Sequence, residues 1–242
     1  MPNINDNERF WGHAYDWSSS GEEWSAAWGS SASQWYGCLL PRIRSFLPAK
    51  RVLEIAPGYG RWTQYLLPWT GQYDGVELSS ECVAQCSKRF VGSDVRFHVN
   101  DGKSLEMIPD QSIDFVFSFD SLVHADSEAL HTYIPQIIRK LTAKGAAFLH
   151  HSNLGRNGGC VGPTHWRDPS VSAEFIQTEV DAAEGQLLRQ EIITWASTEH
   201  LDCISLLSKK NAYDIAPDVV VNTKFMDEAR YIREYLAPWQ FR

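Results

Sequence analysis

The segment that decides the fold is Val-Leu-Glu-Ile-Ala-Pro-Gly-Tyr-Gly, residues 52–60. A short, mostly apolar run followed by a glycine turn predicts a buried β-strand that leads into a helix starting near Arg61. Gly58 and Gly60 let the backbone approach a ligand, and the free N–H groups at the helix start are expected to point toward it. Glu54, at the end of the strand, favours a ligand with a cation or hydroxyls. Together these features predict a nucleotide-type pocket.

Composition limits the class of protein. The chain has 242 residues and a net charge of −8, which predicts one domain with an added cap and argues against a nucleic-acid partner. Residues 1–9 lack a signal-peptide pattern and no apolar run reaches the roughly 20 residues of a membrane span, so we expect a cytoplasmic protein. Five scattered cysteines predict reduced thiols. The sequence does not indicate an oligomeric state.

Strand and helix patterns alternate after the first 48 residues. Strands are predicted at 52–55, 73–78, 95–99, 113–119 and 146–151, with helices at 61–67, 80–90 and 127–141. A helix at 171–183, strands at 186–196 and 203–209 and a helix at 227–236 follow. Repeated β-α units imply a parallel, doubly wound sheet. We therefore predict an α/β fold with a Rossmann-like, seven-stranded, mostly parallel sheet and an antiparallel last strand over residues 49–242, behind an N-terminal helical cap or lid over residues 1–48.

Acidic residues stand where the ligand of such a sheet lies, just beyond the carboxyl ends of the strands. Glu77 ends the second strand and is placed to accept hydrogen bonds from ribose hydroxyls. Asp101, which follows the third strand and precedes Gly102, is placed to accept from an adenine amine. Leu78 and Phe119, beside two of these strand ends, complete the expected cofactor contacts.

Residues 51–151 resemble the class I S-adenosylmethionine (SAM)-dependent methyltransferases in their order of motifs. Residues 54–60 are similar to the glycine motif of that family, Glu77 to its ribose acid and Asp101 to its adenine contact. Ala56 departs from the pattern, because this position is usually glycine. The alternative is a NAD enzyme, but Thr63 stands where the third glycine of a dinucleotide motif belongs.

The resemblance implies SAM as the cofactor and assigns the residues that hold it. These are Glu54, Ala56, Gly58, Gly60, Arg61, Glu77, Leu78, Asp101, Gly102 and Phe119. Arg61 is either a partner of the cofactor carboxylate or part of a surface salt bridge.

The strongest candidate for a catalytic base is His124, which follows the fourth strand. A hydroxyl acceptor needs a group that takes its proton, and a neutral imidazole is available near pH 7. Asp120 or Asp126 could orient the ring. The alternative is a histidine that packs the loop or contacts the cofactor.

His150 and His151 end the fifth strand, at the neighbouring edge of the same pocket. Because side chains alternate along a strand, the two rings point to opposite faces, and at most one faces the substrate directly. We assign His151 to catalysis and His150 to substrate binding, with two structural histidines as the alternative. A metal site made of His124, His151 and Asp120 is conceivable, but the sequence gives no ligand geometry and no metal is expected.

Two aromatic regions are candidates for binding the acceptor. The loop with His165, Trp166 and Arg167 should overhang the fifth strand and suit a polar substrate. The alternative is Arg167 paired with Asp168 or Glu174 on a solvated surface, with Trp166 in the core. In the N-terminal region, aromatic residues that include Tyr15 and Trp28 could stack on sugar rings. The alternative there is a plain hydrophobic seam.

The resemblance extends to a narrower group. Residues 23–29, 56–63, 119–124 and 150–154 are similar to bacterial methyltransferases associated with sugar or surface-glycan modification. This implies O-methylation of a sugar or oligosaccharide hydroxyl. The alternatives are a small-molecule N-methyltransferase and a SAM-binding domain without turnover.

Overall fold

The computed structural model describes residues 3–92, 94–156 and 158–239. Before the sheet, the helical cap predicted over residues 1–48 consists of short helical turns of changing pitch and not of long helices. These are α1 (Ile4–Arg9), α2 (Ser31–Gln34), α3 (Leu40–Ile43) and 3₁₀ or π turns at Phe10–Ala14, Trp17–Ser19, Glu22–Trp28, Trp35–Leu39 and Arg44–Phe46. Gly21 and Gly29, with φ of 81° and 94°, bound one of these turns and interrupt a continuous helix.

The remainder of the chain forms one sheet with helices between its strands. The strands are β1 (Ala49–Ile55), β2 (Thr70–Glu77), β3 (Val95–Val99), β4 (Ile113–Ser118), β5 (Leu141–Ser152), β6 (Gly185–Trp195), β7 (Thr198–Lys209) and β8 (Asp218–Asn222). The helices are α4 (Thr63–Leu66), α5 (Ser80–Arg89), α6 (Ser127–Lys140), α7 (Ala173–Ala182) and α8 (Phe225–Tyr231), with short turns at Leu67–Trp69, Leu122–His124, Ile232–Leu236 and Ala237–Trp239. No helix within the described ranges is long and apolar enough to cross a bilayer.

The strand order, β3-β2-β1-β4-β5-β7-β6-β8, confirms the mostly parallel, doubly wound prediction. β7 lies antiparallel between β5 and β6, which places the predicted hairpin at one side of the sheet. The predicted number of seven strands was wrong, because β8 adds an edge strand parallel to β6, and the last strand is therefore not the antiparallel one. The three valines of β8 are all exposed, so this strand lacks the alternating pattern that marks a half-buried strand.

The core lies on both faces of the sheet, as expected for parallel strands covered by helices. Phe115 and Phe117 of β4 pack with the N-terminal turns on one face, whereas Val116 packs with α6 and α7 on the other. The carboxyl ends of β1, β2 and β4 therefore meet at one edge, next to the N-terminal turns.

Candidate active site

A cavity of about 490 Å³ opens at this edge of the sheet. Among the residues predicted to form the site, those that line the cavity are Tyr15, Ala56, Gly58, Arg61, Glu77, Leu78, Gly102, Phe119, Asp120, His124, His165, Trp166 and Arg167. Those that do not line it are Trp28, Glu54, Gly60, Asp101, His150 and His151.

Ala56 begins the turn in a left-handed conformation, with φ of 57°. A residue with a Cβ pays about 1–2 kcal/mol there, which explains why glycine suits this position. Two hydrogen bonds hold the strained residue: its N–H donates to the Val76 carbonyl at 2.8 Å, and its carbonyl accepts from the Ser121 hydroxyl at 2.9 Å.

The N–H groups of the turn are used within the protein. Gly58 N–H donates to Glu77 Oε2 at 2.9 Å, and Gly60 N–H donates to the Pro57 carbonyl at 2.9 Å. Helix α4 begins only at Thr63 and has four residues. The helix therefore begins two residues after Arg61, and the N–H groups of Gly58 and Gly60 are not available to a ligand; the turn contributes close backbone approach.

Glu77, the last residue of β2, lines the cavity. Its Oε1 accepts from Ser79 N–H at 3.1 Å, and its Oε2 accepts from Gly58 N–H, so the side chain is held on both sides. Burial raises its pKa, while these N–H donors lower it. Each carboxylate oxygen has a second lone pair, which leaves acceptors for hydroxyls in the cavity.

Glu54 does not face the cavity. It is buried behind the turn, where its Oε2 accepts from the Thr63 hydroxyl at 2.7 Å and from the Tyr73 hydroxyl. The hydroxyls expected from a ligand are thus supplied by the chain itself. Burial raises the pKa of Glu54 to about 7, although both hydroxyls act in the opposite direction.

Asp101 is also turned away from the cavity. The side chain is exposed, and its Oδ1 accepts from the backbone N–H groups of Lys103 and Ser104 at 2.9 Å and 2.7 Å. Such a turn satisfies an aspartate locally, and this competes with ligand binding. Asn100 lines the cavity instead, with its amide donating to the Tyr133 hydroxyl at 2.8 Å.

Arg61 and Asp120 form an ion pair in the cavity wall, with Nη2 and Oδ2 2.8 Å apart. The guanidinium lies over the rings of Trp24 and Trp62, at 5.1 Å and 4.4 Å from their centroids. Arg61 is buried and is not part of a surface salt bridge. Of the two carboxylates that could orient His124, Asp120 accepts from Arg61 and Asp126 accepts from Ala129 N–H at the start of α6.

His124 ends the short turn after β4 and lines the cavity. Its side chain and its carbonyl form hydrogen bonds with residues that are distant in sequence. Its Nδ1 is 3.0 Å from the Trp166 carbonyl, and its own carbonyl accepts from the Asn7 side chain at 2.9 Å. A carbonyl only accepts, so Nδ1 carries the hydrogen and Nε2 keeps the lone pair. Burial, together with the charge of Arg167, lowers the pKa of His124 to about 4, which keeps the ring neutral near pH 7.

The two histidines of β5 lie on opposite faces, as the alternation predicts, but both are buried and neither lines the cavity, so His150 does not face a substrate as assigned. His150 stacks on Phe119, with ring centroids 4.4 Å apart, and its Nδ1 accepts from Asp120 N–H at 3.1 Å. His151 lies on the other face, with Nε2 2.8 Å from the Ser205 hydroxyl. Its assignment to catalysis was wrong, because the packing partners of each face, and not the distance from the strand end, decide which ring approaches the cavity.

The loop after β5 contributes a carbonyl and aromatic faces. His165 and Trp166 are exposed at the cavity, while the Arg167 guanidinium makes two hydrogen bonds to Asp202, at 2.9 Å and 2.7 Å. Arg167 is therefore paired, but with the buried Asp202 and not with Asp168 or Glu174 on a solvated surface, and Trp166 is not buried. Sequence reasoning missed Asp202, since nothing in the β7 pattern links it to this loop.

The N-terminal turns cover the cavity with an aromatic cluster made of Trp11, Tyr15, Trp17 and Trp24. Neighbouring rings of this cluster have centroids 5.0 to 6.4 Å apart, and Trp17 stacks on Tyr59 of the glycine turn at 4.7 Å. The rings contact one another, so the cluster forms a closed cover over the cavity and leaves no open space between its rings.

Trp28 was wrongly assigned to substrate binding. It is buried in the core, with its ring 5.6 Å from Trp195 and 5.9 Å from Phe225. In an α-helix Trp24 and Trp28 would share a face, but the Glu22–Trp28 turn is 3₁₀-helical, with three residues per turn. Four positions then separate the two side chains by about a third of a turn.

Comparisons with known proteins agree with this geometry. Residues 52–145 match a family model described as a methyltransferase domain. Phosphoethanolamine N-methyltransferase 1 of Triticum aestivum is 28% identical over 164 residues, which cover 64% of this chain and 33% of that protein. The chain thus spans about a third of the length of this curated relative.

Solved structures share the fold at low identity. A SAM-dependent methyltransferase from Clostridium acetobutylicum has a TM-score of 0.56 and 13% identity, covering 86% of this chain and 97% of that one. A TehB-like SAM-dependent methyltransferase from Corynebacterium glutamicum has a TM-score of 0.55 and 16% identity, covering 79% and 97%. Residues 52–145 therefore match a methyltransferase domain, and the fold is one shared with SAM-dependent methyltransferases, which indicates SAM as the cofactor.

The residues of the methyltransferase cavity fit that cofactor. Glu77 offers acceptors for the ribose hydroxyls, and the turn at Gly58 allows close approach of the ligand to the backbone. Leu78 and Gly102 line the adjoining wall with Asn100. Within the described residues no three His, Cys, Asp or Glu side chains are grouped as metal ligands, and His151 lies on a different face from His124 and Asp120.

Proposed function

We propose that this methyltransferase transfers the methyl group of SAM to a hydroxyl of a small, sugar-like acceptor, with His124 accepting the hydroxyl proton. SAM supplies a methyl group activated by the positive sulfonium. The protein's own residues bind and orient the acceptor, exclude water and accept the proton. The observation that carries the proposal is the contact between His124 Nδ1 and the Trp166 carbonyl, which leaves Nε2 as a proton acceptor.

The charges of the cavity favour an acceptor without negative charge. Arg61 is paired with Asp120, and Arg167 is paired with Asp202. Among the described residues that line the cavity, no other arginine or lysine is present, whereas Glu77 adds a further acidic group. A phosphate group would therefore lack an unpaired cation to bind it, and a neutral acceptor is preferred.

The size of the cavity and its aromatic faces favour a small acceptor. A volume of about 490 Å³ lies in the range of pockets that enclose one small ligand, so a cofactor and a single sugar ring would fill much of it. The Trp11 ring lies 5.2 Å from the His124 ring, and Trp166 lines the cavity as well. Such faces support stacking against the C–H groups of a sugar. Residues 1–48 act in this proposal as a lid.

The second candidate function is N-methylation of a small amine. It is favoured by the similarity to phosphoethanolamine N-methyltransferase 1 and by the acidic groups of the cavity, which attract an ammonium ion. The paired arginines argue against a phosphorylated amine.

We propose the cytoplasm as the location, because the five cysteines are free thiols.

The variant His124→Gln tests the proposed base. Glutamine keeps a hydrogen-bond donor but cannot take a proton, so we expect kcat to fall about 10²–10⁴-fold with the Kd for SAM changed less than about twofold. Turnover is measured with labelled SAM against neutral monosaccharides, ethanolamine and phosphoethanolamine. The matched control is His131→Gln on α6, an exposed histidine outside the cavity, which should leave kcat within about twofold of wild type.

Three results would contradict the proposal. Near-normal turnover of His124→Gln would refute the base, and methyl transfer to ethanolamine but to no sugar would favour the second candidate. SAM binding without transfer to any acceptor would favour a domain without turnover.

The pH profile gives an independent check. Because the pKa of His124 is lowered to about 4, the ring stays deprotonated and kcat/KM should be flat between about pH 5.5 and 8.

A further inference from the structure

The acceptor side of the cavity contains three residues other than glycine in a left-handed conformation. Asp120, His165 and Trp166 have φ values of 66°, 49° and 61°. Each costs about 1–2 kcal/mol, so such a conformation persists only where surrounding contacts hold it. Asp120 and His165 are linked through hydrogen-bonded side chains to one fully buried carboxylate, Asp202 on β7, and Trp166 lies in the backbone between His165 and Arg167.

The first link runs through Arg167. Its Nε and Nη2 donate to the two oxygens of Asp202, at 2.9 Å and 2.7 Å, which is the bidentate geometry that holds a guanidinium in one orientation. The same guanidinium donates from Nη1 to the His165 carbonyl at 3.0 Å. The backbone between these two anchors contains Trp166, whose carbonyl accepts from His124 Nδ1. Arg167 thus fixes the carbonyl that selects the tautomer of His124.

The second link runs through His150. Its Nδ1 accepts from Asp120 N–H at 3.1 Å, and because a backbone N–H only donates, Nδ1 carries no hydrogen. The hydrogen is therefore on Nε2, 3.2 Å from Asp202 Oδ2. This chain fixes the backbone of Asp120, whose carboxylate pairs with Arg61 in the cavity wall.

We infer that Asp202, which does not line the cavity, is a positioning residue for methyl transfer: it holds the Trp166 carbonyl that keeps the hydrogen of His124 on Nδ1, and it holds Asp120 in place through His150. This inference rests on the proposed function, since only there is His124 the base. Burial would raise the pKa of Asp202, but the Arg167 charge outweighs burial and holds that pKa below its usual range.

The variant Asp202→Asn tests the inference, since it keeps the shape but removes the charge and one of two acceptor oxygens. We expect kcat to fall about 10- to 100-fold, the scale seen when the partner that orients a functional side chain is lost. KM for SAM should change less than about twofold. Nitrogen-15 NMR of histidine-labelled protein should show His124 moving from the Nδ1–H tautomer to a mixture. A merely structural role would not move that signal selectively.

The matched control is Asp168→Asn, a buried carboxylate in the same loop. Its Oδ1 accepts from Ser170, and an asparagine oxygen can still do so. This variant should keep the His124 tautomer and keep kcat within about twofold.

A second variant removes both buried charges, in case a lone Asp202→Asn change prevents folding. The pair Arg167→Met with Asp202→Leu leaves no unpaired charge, which proteins commonly tolerate. It should fold and show the same loss of kcat and the same mixed tautomer. An unchanged His124 tautomer in either folded variant would overturn the positioning role. Full activity of His124→Gln would instead refute the proposed base, so the two failures are distinguishable.

Discussion

The two walls of the cavity are built in different ways. The cofactor wall consists of the turn at residues 56–60 and of Glu77, which follow neighbouring parallel strands. The acceptor wall depends on partners far apart in sequence: Asn7 bonds to His124 over 117 positions, and His124 to Trp166 over 42. A wall built from adjacent strand ends can be predicted from motif spacing, whereas a wall built from distant loops cannot.

The largest expected effect comes from Gly155→Ala in the loop of the acceptor wall. A Cβ there would lie 2.4 Å from the Pro169 carbonyl oxygen and 2.9 Å from that of Val171, and backbone atoms cannot move aside as a side chain can. We expect the free energy of unfolding to fall by about 1–3 kcal/mol or more in urea titrations, and kcat to fall with it.

Gly92→Ala is the control for this substitution. Its added Cβ would meet Val95 at 3.4 Å, an ordinary contact, so the change in stability should stay below about 0.5 kcal/mol. If Gly155→Ala were equally neutral, the acceptor wall would not depend on the packing of this loop.

The next effect concerns the cofactor wall and is expected from Glu77→Gln. The amide places an NH₂ group against the N–H of either Gly58 or Ser79 and removes the charge, so we expect the Kd for SAM to rise about 10- to 100-fold in calorimetry. Asp101→Asn is the control and should change this Kd less than about twofold. A comparable rise of the Kd for SAM in Asp101→Asn would support the adenine contact that the family resemblance implied.

The last effect vanishes at low pH and comes from Glu54→Gln, behind the cofactor wall. Burial raises the pKa of Glu54 from 4.5 to about 7, so the folded protein holds a proton that the unfolded chain releases. This contribution to stability is complete below pH 4.5 and is lost as the pH rises through 7. Glutamine mimics the protonated form, and we expect it to raise the free energy of unfolding by about 1–3 kcal/mol at pH 8 and to have no effect near pH 4.5.

Glu106→Gln, at an exposed position, should show no such pH dependence. Equal stability of the Glu54→Gln variant and wild type at pH 8 would mean that Glu54 is ionised in the folded protein. That result would support the original assignment of Glu54 to ligand binding.

Particular residues show where sequence reasoning succeeded and where it failed. Glu77 was placed correctly at the cavity because the period of a strand and the parallel topology determine where the strand ends. For His150 and His151 the alternation was right, but neither ring lines the cavity, because His150 is buried against Phe119, which directly follows the neighbouring strand. The assignment of Trp28 to substrate binding was wrong because glycines on both sides of its turn changed the helical pitch.

The sequence by itself determined the doubly wound sheet and the glycine turn, because these follow from local periodicity and from motifs whose spacing matches strand and helix lengths, and its resemblance to a known family indicated SAM. Only the tertiary structure decided that Glu54 and Asp101 face away from the cavity, that His124 has a free Nε2, and that Asp202 supports the acceptor wall. The physical reason is that the direction of a side chain and the tautomer of a histidine depend on hydrogen-bond partners brought together by folding, which no local pattern specifies.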